Sequence, residues 1–73
     1  MMNGQVPKIG EAAGFIYHEL ENGECSLTQL KNNLLANGFD NNISLMSIGW
    51  LARENKVDID KKGNKWFIKL KNR

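Results

Sequence analysis

Apolar residues recur at helical intervals through the first fifty-odd positions and then switch to every second position near the C-terminus. From Lys8 to Glu21, Ile9, Ala12, Ala13, Ile16 and Leu20 stand at i, i+3, i+4, i+7 and i+11, one face of a helix. Pro7 suits a first helical turn, where its missing N–H would have no partner, and Asn22-Gly23 supplies the stop. Residues 1–7 read as a flexible tail. Gly10 and Gly14 cost this helix about 1 kcal/mol each relative to Ala, and they leave room for a neighbouring helix to pack closely.

Ser26-Leu27-Thr28-Gln29 matches a capping box, with Ser26 bonding forward and Gln29 reaching back. Cys25 and Leu30 occupy the staple positions around it, so Cys25 reads as a small buried hydrophobe rather than a nucleophile. Leu27, Leu30 and Leu34 carry the inward stripe of this second helix, and Asn37-Gly38 closes it. Phe39 plugs the junction and Asp40 is the expected N-cap of a third helix.

That third helix shows two apolar stripes. Leu45, Ile48, Leu51 and Ala52 take core spacing, while Ile43, Met46 and Trp50 fall almost opposite, beside Asn42 and Arg53. An amphipathic surface helix needs only one, so the second requires its own cover. After Asn55 the period becomes two: Val57 and Ile59 share a face, Lys61-Lys62-Gly63-Asn64 is turn chemistry, and Trp66, Ile68 and Leu70 alternate with Lys65, Phe67 and Lys69. Burying Trp66, Ile68 and Leu70 is expected to supply about 1.5–3 kcal/mol each before entropy is subtracted, so the hairpin belongs to the core.

The predicted architecture is α+β: helices over about 8–21, 27–37 and 41–55, a hairpin over 57–60 and 65–70, and room for a stub strand near 24–25. Two capped helices joined by a tight Gly-containing turn make a helix-turn-helix. With the hairpin as wing, residues 8–73 form one winged helix-turn-helix domain.

Composition narrows the function. Seventy-three residues with 41% hydrophobic content, and a mean hydropathy of −0.47, fit one soluble globular domain near the size at which a core suffices unaided. A single Cys and a single His exclude an internal disulfide and a multi-cysteine zinc site, so neither metal nor cofactor is expected. No apolar run reaches the roughly 18 residues of a membrane span, and MMNGQVPK lacks a signal peptide's apolar centre; a cytoplasmic protein without membrane contact is expected. The net charge of +2 hides an asymmetry: residues 1–55 carry −3 and residues 56–73 carry +5. Such a basic end attracts phosphates or another polyanion, or simply keeps a solvated edge from pairing with other strands.

The run Ile48-Gly49-Trp50-Leu51-Ala52-Arg53-Glu54-Asn55-Lys56-Val57, with Gly10, Glu11 and Gly14 on the first helix, resembles a family of short bacterial winged helix-turn-helix proteins of unknown function, common in gut Bacteroidetes. The likeness covers most of residues 8–70. It implies the fold and a DNA-binding-like ancestry, with no ligand or catalytic residue attached.

Two partner classes follow. With duplex DNA, the third helix enters the major groove and Lys61, Lys62 and Lys65 meet phosphate, with Lys69 joining them where its face is open. Base-edge candidates are Asn41, Asn42, Ser44 and Ser47; no Arg or Lys precedes Arg53 in that helix, so binding is expected to be weak, salt-dependent and poor at discriminating sequence. A transcription-regulatory role belongs to that reading. With a protein partner or a second copy in a homodimer, the contact is Ile43, Met46, Trp50 and Arg53, anchored by Trp50. The competing placement folds Trp50 under the wing against Phe67 or the tail. An enzyme is not expected: His18 stands alone between Tyr17 and Glu19, and no nucleophilic triad, carboxylate pair, phosphate-binding glycine loop or metal spacing is present.

Overall fold

The computed structural model of the chain describes residues 5–71, so the first four residues of the expected tail and residues 72–73 lie outside the described residues. Three helices precede a hairpin: α1 (Gln5–Leu20), β1 (Cys25–Ser26), α2 (Leu27–Ala36), α3 (Asn41–Arg53), β2 (Val57–Lys62) and β3 (Lys65–Leu70). The α+β, winged helix-turn-helix expectation holds, with boundaries moved by local chemistry. α1 begins at Gln5 rather than Lys8, and β2 runs on to Lys62 rather than Asp60.

The helix ends explain themselves. Ser26 accepts from the Gln29 amide at 3.1 Å and Asp40 from the Ile43 amide at 2.8 Å, each stabilising a first turn. Only the forward half of the expected capping box is present among the described residues' hydrogen bonds; the Gln29 side chain does not reach back. α2 closes in a Schellman motif: Phe39 N–H donates to Leu34 O at 3.0 Å and Gly38 N–H to Leu35 O at 3.1 Å, with Gly38 at φ +91°. α3 closes likewise two residues short of the expected Asn55. Lys56 N–H donates to Leu51 O at 2.9 Å, and Asn55 takes the left-handed position at φ 65°.

The sheet is antiparallel in the order β1-β3-β2. Val57 pairs with Leu70, Ile59 with Ile68 and Lys61 with Trp66, so these six share one face; Cys25 adds to it opposite Ile68. The two-residue turn places Gly63 at φ +63° at its first central position, as a type II′ hairpin requires, while Asn64 keeps a negative φ. The core joins Ala12, Ala13, Ile16 and Leu20 of α1, Leu30 and Leu34 of α2, Phe39, Ile43, Ile48 and Leu51 of α3, and Val57, Ile68 and Leu70 of the hairpin. Burial fades toward the wing tip: Leu70 and Ile68 are inside, whereas Trp66, expected inside with them, is 45% exposed. At the ribbon's last pairs, next to the Gly63-Asn64 turn, the packing thins and the indole is left half in solvent.

Candidate nucleic-acid interface

α3 has one buried face and one exposed face, but the residues are divided differently from the two expected stripes. Ile43, Ser44, Ser47, Ile48 and Leu51 are buried; Asn41, Asn42, Leu45, Met46, Gly49, Trp50 and Arg53 are exposed. Leu45, expected in the core, stands in solvent, and Ile43, expected at a partner surface, lies in the core at 4% exposure. The serines cause the exchange. Ser44 Oγ donates to Asp40 O at 2.9 Å, and Ser47 Oγ donates to Ile43 O at 2.7 Å with Ile9 O of α1 3.2 Å away. Small hydroxyls satisfied by main-chain carbonyls can be buried without penalty where two helices approach closely. Ser44 and Ser47 are therefore withdrawn from the base-edge candidates: fully buried and bonded, neither can reach a ligand without leaving the core. Asn41 and Asn42 keep exposed side chains in the first turn.

The remaining outward face of α3 is apolar. Leu45, Met46 and Trp50 are 47%, 49% and 48% exposed, and Arg53 closes the row. Trp50 does not fold under the wing; it walls a shallow cleft of about 300 Å³ with Gly14 and Tyr17 of α1. Gly10 and Gly14 are exposed, and among the described residues no other element crowds them, so the close helix packing expected there is not made.

The wing carries the charge. Lys61, Lys62, Lys65 and Lys69 are all exposed. They are not equivalent: Lys62 Nζ lies 3.1 Å from Glu24 Oε2 and 5.0 Å from the Phe67 ring centroid, whereas Lys61 and Lys65 have no carboxylate partner among the described residues. Lys61 Nζ instead sits 5.3 Å from the centroid of Trp66, its cross-strand partner. Between this tip and the first turn of α2 runs a groove of about 600 Å³, with Gln29, Asn32, Asn33, Asn64, Lys65 and Trp66 among its lining. The sequence pattern concealed this groove, because it assigned Trp66 to the core and gave Asn32 and Asn33 no role.

Two further titratable side chains lie away from the wing tip. His18 is exposed and 3.4 Å from Glu21, three residues on and just past the end of α1. Cys25 is half-buried, and desolvation, with the Glu19 charge second, pushes its thiol above the ordinary value, away from the reactive thiolate. Among the described residues no group of His, Cys, Asp and Glu is arranged to hold a metal ion, and no helix is long and apolar enough to cross a membrane.

Against known proteins, a family model described as a winged helix-turn-helix domain (DUF2582) matches residues 1–70. The chain belongs to this winged helix-turn-helix family. It is also similar to the uncharacterized protein MJ1608 of Methanocaldococcus jannaschii, 56% identical over 64 residues that span 88% of this chain and 91% of the relative. That relative is archaeal, so the resemblance to gut bacterial proteins does not carry a bacterial origin with it. No solved structure matches the chain. The winged helix-turn-helix domain is of the DNA-binding type, and in it four exposed lysines stand on the wing while the outer face of α3 is largely apolar.

Proposed function

We propose that this winged helix-turn-helix domain is a non-enzymatic nucleic-acid-binding module whose wing leads the contact. Lys61 and Lys65 approach phosphate, Lys62 contributes less because Glu24 already holds it, and Asn41 and Asn42 offer carboxamides to base edges. The observation that carries the reading is the pair of exposed lysines at the wing tip that have no carboxylate partner among the described residues, on a fold of the DNA-binding type. With no cation on the outer face of α3 before Arg53, sequence discrimination is low, and a regulatory role would rest on recruitment to DNA more than on reading an operator.

The test is an amide-shift titration with random duplex DNA at two salt concentrations. Shifts confined to Lys61–Lys65 and Asn41–Asn42, weakening steeply with salt, are expected. Absence of binding at low salt overturns the reading.

A second reading, self-association or docking to another protein, is favoured by the half-exposed Leu45, Met46 and Trp50. It keeps Met46, Trp50 and Arg53 of the expected interface and replaces the buried Ile43 by Leu45. Sedimentation of the wild type against Trp50→Ala and Met46→Glu tests it: a mass that falls in the variants supports association, and a wild-type monomer that recovers no partner refutes it.

A further inference from the structure

Resting on the nucleic-acid reading and going beyond it, we propose that the groove between α2 and the wing takes an unpaired nucleotide of a single-stranded nucleic acid, its base stacked on Trp66 and its phosphate against Lys65. Trp66 lines that groove at 45% exposure and contributes little to the core that holds Ile68 and Leu70 on the same face. A wing tip kept only for solubility is better served by a charged or hydroxyl side chain at this position. An exposed indole with Lys61 over its ring and Lys65 beside it instead supplies a stacking surface and cations together, the combination that holds single strands.

The opposite wall supplies hydrogen-bonding groups. The side-chain amides of Gln29, Asn32 and Asn64 make no hydrogen bond among the described residues, and Asn33 spends its Nδ2 on Glu19 at 3.1 Å. Each free carboxamide offers two donors and an acceptor, which match the Watson–Crick edge of a splayed base. Among the described residues no carboxylate lines the groove, and the first turn of α2 holds no acidic residue, so the N-terminal end of the helix dipole leaves this end positive. The volume, about 600 Å³, lies within the range of small-molecule sites and holds one nucleotide. A base inside a duplex is stacked between its neighbours and must be extruded before it can lie on Trp66, so the groove prefers single strands.

The experiment compares oligothymidylate, oligouridylate and a duplex of equal length at low salt, using a Trp50→Phe background in which Trp66 is the sole fluorescent tryptophan. Expected are tighter binding of a single strand than of the duplex and quenching of Trp66 by it. Trp66→Ala should bind the single strand about 5- to 150-fold more weakly, with Trp66→Phe keeping most of the affinity. The thymidylate and uridylate arms decide whether the strand is DNA or RNA. Circular dichroism confirms that each variant is folded. Equal affinity for single strand and duplex, or unchanged affinity in folded Trp66→Ala, overturns the groove and leaves the wing–phosphate reading standing. Binding of none of the three overturns both.

Discussion

Glycine-to-alanine substitutions in this domain should change sign according to backbone conformation alone. Gly10 and Gly14 lie inside α1, and a Cβ built on either meets no described atom within 4 Å beyond its chain neighbours and the helix's own backbone. Replacing each by Ala therefore adds no clash and removes a helix penalty of about 0.8–1 kcal/mol. Both together should stabilise the domain by about 2 kcal/mol, which for a chain of this size raises Tm by roughly 8–16 °C. Gly38 also has open space around its missing Cβ, but it sits at φ +91° in the Schellman turn between α2 and α3. Ala there must adopt a left-handed conformation, which costs about 1–2 kcal/mol. The assay is urea and thermal unfolding followed by circular dichroism at a concentration where the domain is monomeric, with unchanged m-values as the check on two-state behaviour. Destabilisation by Gly10→Ala and Gly14→Ala would show that another surface presses on this face of α1 under the assay conditions. A neutral Gly38→Ala would refute the dihedral argument itself.

Asp40→Ala should lower stability by about 0.5–2 kcal/mol by removing the cap on Ile43, with Asp40→Asn nearly neutral; equal losses in urea denaturation would refute a capping role. Cys25 should be alkylated slowly in the native state and rapidly after denaturation, because burial first and Glu19 second hold its folded pKa above the unfolded value. That same shift makes its stability contribution complete below the ordinary thiol range and lost as pH rises through the raised folded pKa, a decline that Cys25→Ala should lessen. Removing Lys61 and Lys65 together should flatten the dependence of log K on log salt for duplex DNA by about 1.8, and Lys62→Ala by less than its share; an unchanged slope in fluorescence anisotropy would place the phosphate contacts elsewhere.

The fold was largely legible because its punctuation is local. Ser26, Asp40, Gly38 and Gly63 act within three or four residues of themselves, and each does in the structure what its residue type favours. The third helix is expected to run through Asn55, which instead lies two residues past its end, since a left-handed Asn leaves no mark in the sequence beyond a residue compatible with either state. The reach of Trp66 past the core was likewise hidden: strand alternation tells which face a side chain takes, and here it correctly put Trp66 with Ile68 and Leu70. It says nothing about how far along the ribbon the opposing helices extend.

The candidate surface was misassigned for a reason that also bears on function. A hydrophobic count gives α3 more apolar side chains than its buried face needs, and the obvious assignment sends Leu45 inward and Ile43 outward. The chain does the reverse because Ser44 and Ser47, which no hydrophobic count selects, occupy the contact with neighbouring structure and satisfy their own hydroxyls. Burying two serines there displaces Leu45 to the surface, where it joins Met46 and Trp50. A recognition helix committed to base reading would spend these outward positions on Arg, Asn or Gln. In this domain the outward positions of α3 between Asn42 and Arg53 carry no polar side chain, and exposed cations and carboxamides stand also on the wing and the first turns of α2. A nucleic acid and a protein partner would then engage separate surfaces. If so, Met46→Glu should abolish association while leaving the salt-dependent binding of Lys61 and Lys65 intact, and loss of both together would refute that separation.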